Sequence, residues 1–223
     1  MASVKRKWLA AAGACLLVGS LAGAAMAQGS LPSLESSELA QGPYSYMHML
    51  LQKTILRIDV AIIEVRVDKP AQARLAALLR GQAYSDGLAQ QLASVVIGGE
   101  RAVVQMRFKR DISLKRWIGV VKENLEQARK AGLIPVDLEQ KVGQGLPQWV
   151  AALKDRGYEK SDRLIYSVGP ESLRTVVVSA AGQVLVDRLE REQGSRRVVL
   201  ASYFAPGSDF REPLLRSLLE GNR

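Results

Sequence analysis

The chain has 223 residues, of which 48% are hydrophobic and 24% charged, and its formal net charge at pH 7 is +9. This composition is typical of a folded globular protein and excludes a disordered chain. The single cysteine, Cys15, and the single histidine, His48, exclude an intrachain disulfide and a histidine-rich metal site. We therefore expect no metal and no other cofactor.

The first 27 residues have the three parts of a secretory signal peptide. A basic start at Lys5–Lys7 is followed by a small, apolar run from Trp8 to about Leu21, and the segment ends on Ala25-Met26-Ala27. The run is short and alanine-rich for a membrane anchor, and the residues before Cys15 lack the leucine usual in a lipoprotein signal. Cleavage before Gln28 is therefore the preferred interpretation.

A cleaved signal predicts a periplasmic or secreted protein, without any transmembrane segment after cleavage. Nucleic acid is not an expected partner, because an exported protein rarely meets it and the basic residues are spread along the chain. Anionic lipids, fatty acids or other acidic partners suit the basic charge better.

The predicted elements begin after a flexible leader at 28–43, and residues 44–221 are expected to form one domain. Tyr44 to Leu51 is expected to be a short strand. Thr54 to Asp68 alternates strongly and is predicted to be one long strand that changes its buried face halfway along.

Helical periodicity and capping residues then alternate with one further strand. The spacing predicts helices over Ala71–Arg80, from Ser85 to Gly98, from Ser113 to Lys130, and a broken helix over Asp137–Lys154, with a strand at Arg101–Lys109. Pro147 is expected to interrupt the last of these helices.

The second half changes to a period of two. Arg163–Val168, Leu173–Ser179 and Val184–Leu189 are predicted to form a meander of strands joined by tight turns, followed by helices at Arg196–Phe204 and Asp209–Leu219. Strands joined by tight turns pair antiparallel. The order therefore predicts an α+β fold with helices packed on one face of the sheet.

Charged residues on the predicted long strand are the first candidate site. Lys53, Arg57 and Asp59 would share one face. They could form an ion pair at a solvated edge, or the charged floor of a cleft in which Arg57 binds a ligand carboxylate. Lys115 and Trp117, at the start of the amphipathic helix, are further candidates for ligand binding. Trp117 could equally be a core residue.

The second half also resembles a known family. LIYSVGPESLRTVVVSAAGQVLVDRLE is similar to the strand–turn–strand–turn–strand signature of the chalcone isomerase superfamily, and RRVVLASYFAPGSDFREPLLRSLL is similar to its closing helices. The resemblance extends over roughly Leu50 to Leu219 and is nearest to the exported bacterial members. It implies an open-faced sandwich, in which helices cover one face of a large antiparallel sheet.

The resemblance does not carry the isomerase activity with it. The plant enzymes use an arginine on the long strand and a tyrosine, a lysine and an asparagine on the central helix. Here the arginine position falls near Leu51, the helix has no tyrosine, and Asn124 lies deep within it. We expect a non-catalytic protein that binds a small apolar or acidic, fatty-acid-like ligand or a partner protein. The alternative is an intramolecular lyase acting on a chalcone-like enone.

Overall fold

The computed structural model describes residues 46–53, 58–191 and 194–220, apart from the side chain of Lys53. The predicted signal peptide, the predicted leader and Arg57 lie outside these residues.

Six strands form one sheet whose order in space is their order in the chain. They are β1 (Tyr46–Lys53), β2 (Ile58–Val67), β3 (Ala102–Phe108), β4 (Arg163–Val168), β5 (Leu173–Val178) and β6 (Val184–Glu190). Every neighbouring pair is antiparallel. The predicted meander is confirmed as the second half of this sheet.

Six α-helices accompany the sheet within the described residues: α1 (Lys69–Leu79), α2 (Asp86–Ile97), α3 (Leu114–Lys130), α4 (Val136–Trp149), α5 (Ser195–Phe204) and α6 (Arg211–Glu220). Ser85 and Ser113 cap α2 and α3 as predicted, each accepting a hydrogen bond from a backbone N–H of the first turn. The prediction that Pro147 interrupts the fourth helix was wrong. Pro147 lies inside α4, and the helix ends after Trp149, before a short 3₁₀ turn at Ala151–Leu153.

Of the strand predicted from Thr54 to Asp68, residues 54–57 lie outside the described residues, and β2 covers Ile58 to Val67. β1, which ends at Lys53, is the antiparallel neighbour of β2, with Gln52 opposite Asp59. The register shifts between Leu51 and Gln52, so that Val60 has no cross-strand partner on β1. Such a bulge turns the local side chain, and it is the physical reason why Val60 can contribute to the helix-covered side.

The helices and one face of the sheet share a single hydrophobic core. Ala102, Val104 and Met106 of β3 and Leu164 of β4 are buried in this core together with residues from every helix. Val103, whose side chain alternates to the other face of the sheet, is buried outside that core. The predicted α+β open-faced sandwich, with helices on one face of an antiparallel sheet, is therefore confirmed.

A buried carboxylate fixes the loop that precedes β4, and this loop is bonded to the chain just before α3. Asp162 is fully buried, binds both terminal nitrogens of Arg156 and accepts hydrogen bonds from the backbone N–H groups of Glu159 and Ala180. The adjoining Tyr158 exchanges two backbone hydrogen bonds with Ile112, at 2.8 and 2.9 Å. This bridge holds the chain just before α3 against the end of the sheet.

Candidate ligand-binding cavity

A cavity of about 620 Å³ lies between the sheet and helices α3, α4 and α5. Its walls are mainly aliphatic and aromatic, with Met106 and Phe108 from the sheet and Val120, Leu146 and Val199 from the helices. Pockets of this size and character are typical of small-molecule binding sites. The fold therefore leaves a space that its own side chains do not fill.

A row of three polar side chains crosses the floor of this cavity. Tyr166 on β4 lies opposite Thr175 on β5, and Thr175 lies opposite Arg188 on β6. Residues directly opposite one another point to the same face of a sheet, and all three line the cavity. Two hydroxyls and a guanidinium are thus aligned across strands that lie about 4.8 Å apart. We call these three residues the polar row.

Arg188 is held at the end of this row by two contacts. Its Nε donates to Glu190 Oε1 at 2.9 Å, and its guanidinium lies 4.2 Å from the centroid of the Trp149 ring. Both partners also line the cavity. A Cβ added to Gly145 would lie 2.4 Å from the Trp149 ring, so only glycine leaves room for this indole. The guanidinium is therefore positioned before any ligand arrives.

The tyrosines of the cavity stay protonated over the physiological range. Burial raises the pKa of Tyr166, with a further contribution from the Glu190 charge, and burial raises the pKa of Tyr203 well above its ordinary value. Neither hydroxyl makes a hydrogen bond to another of the described residues. Each can therefore donate to a polar atom of a ligand.

The sequence-predicted site residues divide between the cavity and the solvent. Lys115 and Trp117 line the cavity, Lys115 exposed at its edge and Trp117 buried against the Tyr158 ring at 5.2 Å. Asp59 is exposed, is not part of the cavity lining and accepts a 2.8 Å hydrogen bond from Gln52. Lys53 ends β1 instead of sharing a strand with Asp59, and Arg57 lies outside the described residues.

The polar row escaped the sequence-based prediction. The three strands that carry it were predicted, and Tyr166, Thr175 and Arg188 all lie in the segment that resembles the family signature, but none of them was proposed as a ligand-binding residue. Their alignment depends on the register of two hairpins. The turns at 169–172 and 179–183 fix that register, and counting outwards from them was the one signal that could have placed the three residues together.

The part of the chain that the structure describes contains no cluster of His, Cys, Asp and Glu side chains suited to a metal ion. Of the helices in this part, none has the length and hydrophobicity needed to span a bilayer.

Comparisons with known proteins give a limited result. No family model and no curated protein matches the sequence. Among 37 matching chains of solved structures is the crystal structure of a fatty-acid binding protein from Arabidopsis thaliana. It shares 11% sequence identity, superposes with a TM-score of 0.47, and the match covers 81% of this chain and 89% of that one. At this score and identity the similarity assigns neither a family nor a ligand to the chain.

Proposed function

We propose that the protein is an exported, non-catalytic binding protein with a chalcone isomerase-like fold. In this proposal it holds an elongated apolar ligand that carries an acidic group, as a fatty acid does. The observation that carries the proposal is the cavity, with apolar walls and a polar row on its floor. The signal peptide and the periplasmic location are parts of the same proposal and are supported by the sequence of residues 1–27.

The apolar walls account for affinity. Moving a methylene group from water into such a cavity is worth about 0.8 kcal/mol, so an alkyl chain gains binding energy over its whole length. A wholly apolar ligand would cover the hydroxyls of Tyr166 and Thr175 without giving them a partner, which costs free energy for each buried donor. A ligand with one polar end satisfies both parts of the site.

The polar row favours an acidic group at that end. Arg188 can donate to a carboxylate in a charge-assisted hydrogen bond, and the neutral hydroxyls of Thr175 and Tyr166 can donate beside it. Glu190 already accepts from Arg188, but a guanidinium has five N–H donors, which leaves donors for a second acceptor.

The first experiment asks what the protein carries. The chain recovered after export, with its N-terminus determined, is analysed by native mass spectrometry and its organic extract by lipid mass spectrometry. A co-purifying fatty acid or similar molecule would support the proposal. A protein that is recovered empty and also fails to bind a dansyl fatty acid would refute it and leave partner binding as the function to test by pull-down.

A pair of matched variants tests the anchor. Arg188→Gln removes the charge from the cavity floor, and Arg174→Gln removes an arginine that pairs with Asp187 on the opposite face of the sheet. Losing one charge-assisted hydrogen bond costs about 1.5–3 kcal/mol, which is about 10- to 150-fold in Kd. We expect this loss for a fatty acid with Arg188→Gln only, and little change for the corresponding methyl ester.

One observation favours the second candidate function, the isomerase. Tyr166 and Tyr203 supply to the cavity the phenol that α3 lacks, and a neutral phenol can polarise a carbonyl oxygen. Incubating a chalcone with the protein at high concentration, and following its conversion to a flavanone by absorbance, tests this candidate. Turnover that is lost in Tyr166→Phe would support it, and absence of turnover would remove it.

A further inference from the structure

The edge of the cavity carries a concentrated positive charge. Lys109, Arg110, Lys115 and Arg116 are all exposed and lie within eight residues of one another around the start of α3. Lys115 and Arg116 line the cavity, as do Ile112 and Ser113 between the two pairs. We call the four basic residues the basic rim. These four residues form a cluster, whereas the basic residues were expected to be spread along the chain.

Within the described residues the basic rim keeps an excess of positive charge, four cations against the single intervening carboxylate of Asp111. None of its four side chains makes an ion pair with an acid among the described residues, whereas basic residues elsewhere do: Arg129, Lys130, Arg156, Arg174, Arg188 and Arg216. The intervening Asp111 is engaged by the backbone N–H of Lys160 at 2.8 Å. The N-terminal end of the α3 dipole adds further positive potential at the same place.

An exposed apolar side chain lies beside this charge. Ile58 begins β2 and is 37% exposed, and two residues later Val60 lines the cavity. The backbone N–H of Lys109 donates to the Val60 carbonyl at 2.9 Å, which fixes the rim next to β2. Basic side chains next to an exposed apolar residue suit a surface with anionic groups outside and hydrocarbon beneath.

We propose that the basic rim docks on the surface of an anionic phospholipid bilayer. Docking places the cavity edge against the lipid, so that an apolar ligand can pass between bilayer and cavity with little exposure to water. The transfer step rests on the function proposed above, whereas docking itself does not require a ligand. A basic residue near an anionic membrane strengthens binding about fivefold, and the effect falls off within a Debye length.

The test compares two variants with equal loss of charge. In the rim variant, Lys109, Arg110, Lys115 and Arg116 are all changed to Gln. The control variant changes to Gln four exposed basic residues that do not line the cavity: Lys69 and Arg101, at the other end of β2 and β3, and Arg74 and Arg80, in and directly after α1. Arg101 and Lys109 flank β3 and are separated by about 26 Å, eight residues of extended chain. Both keep the wild-type core, and circular dichroism checks that both fold.

Binding is measured by co-sedimentation of the exported chain with vesicles of phosphatidylcholine and phosphatidylglycerol. For the wild type and the control variant we expect binding at 50 mM salt that weakens strongly at 500 mM, and none to pure phosphatidylcholine. The rim variant should lose at least about 100-fold in partition coefficient at 50 mM salt. Equal losses in the two variants, or no wild-type binding to anionic vesicles, would overturn the proposal.

The two proposals fail separately. A protein that binds vesicles through its rim but never binds a dansyl fatty acid in vesicle-free solution refutes the ligand and leaves docking intact. A protein that binds the fatty acid but ignores anionic vesicles refutes docking alone. If the protein binds to an immobilised acidic protein but not to anionic vesicles, the bilayer is likewise refuted as the partner.

Discussion

Gly119→Leu is expected to stabilise the protein and to weaken ligand binding at the same time. Gly119 lies inside α3 and lines the cavity, and a Cβ built on it meets no atom within 4 Å. Leucine is about 0.8 kcal/mol more favourable than glycine inside a helix, and partial burial of its side chain adds to this gain. We therefore expect an increase of about 1 kcal/mol in the free energy of unfolding.

The same side chain takes space from the ligand. A leucine side chain has four carbon atoms, so it displaces about four methylene groups of an alkyl chain, worth about 3 kcal/mol or about 100-fold in Kd. Urea unfolding measures the first effect, and titration with a dansyl fatty acid measures the second.

Gly143→Leu is the matched control. Gly143 lies inside α4 but is not part of the cavity lining, and its nearest neighbour would be Lys122 at 3.9 Å. The Gly143→Leu variant should show a similar increase in the free energy of unfolding and an unchanged affinity for the dansyl fatty acid. Unchanged affinity in Gly119→Leu would show that the ligand binds elsewhere, and a loss of stability would show that the space beside Gly119 does not exist in solution.

The remaining predictions concern the buried charge, the tyrosines and the ligand. Asp162→Asn should lower the free energy of unfolding by about 1.5–3 kcal/mol, because a neutral amide replaces the buried carboxylate that accepts hydrogen bonds from Arg156 and two backbone N–H groups, while Arg156 keeps its ion pair with Glu159. Glu126→Gln, at an exposed pair, should cost less than about 0.5 kcal/mol in the same urea titration. Burial and the hydrogen bond to Glu64 raise the pKa of Tyr46 to about 12. The stability that the neutral Tyr46 hydroxyl contributes is therefore complete below pH 10 and is lost as the pH rises through 12. The urea midpoint should consequently fall less steeply between pH 8 and pH 12 in Tyr46→Phe than in the wild type. Calorimetric affinities for fatty acids should rise about fourfold for each added methylene until the cavity is full, and a flat series would contradict binding in an apolar cavity.

The fold followed closely from local sequence patterns. Alternating apolar residues and short turns predicted the meander of β4 to β6, and the apolar stripe of α3 predicted a helix buried along one side. The break expected at Pro147 was wrong: Pro147 removes one hydrogen bond of the last turn, and α4 continues for only two residues beyond it.

The predicted shared face of Lys53 and Asp59 was wrong for a different reason. Apolar alternation continues from β1 into β2, and nothing in the pattern between Lys53 and Ile58 marks the change of direction. Extending the alternation of the predicted Thr54–Asp68 strand back to Lys53 put Lys53, Arg57 and Asp59 on a shared face and predicted a charged floor there. The pairing of Gln52 with Asp59 shows that Lys53 and Asp59 belong to different strands.

The cavity itself could be predicted only in part. Lys115 and Trp117 were found because they begin the amphipathic helix, and a helix that covers a sheet must face any space between them. Whether that space is filled depends on how far the helices stand from the sheet, which side-chain packing across several elements decides. The same holds for Tyr166 and Arg188, which come together only through strand register.

The positions of the polar row and the basic rim together argue for an elongated ligand. Phe108, at the rim end of β3, lies four residues along the strand from Val104, which is in register with Tyr166. Arg188 lies three strands away from Val104 in the same row. The offset is about 13 Å along the strand and about 14 Å across the sheet, so the rim end of β3 and Arg188 are about 20 Å apart. An extended molecule can span that distance with its acidic end at Arg188 and its apolar end towards the rim, so it would enter with its charged end first. The unpaired cations of the rim would attract that end before Arg188 receives it.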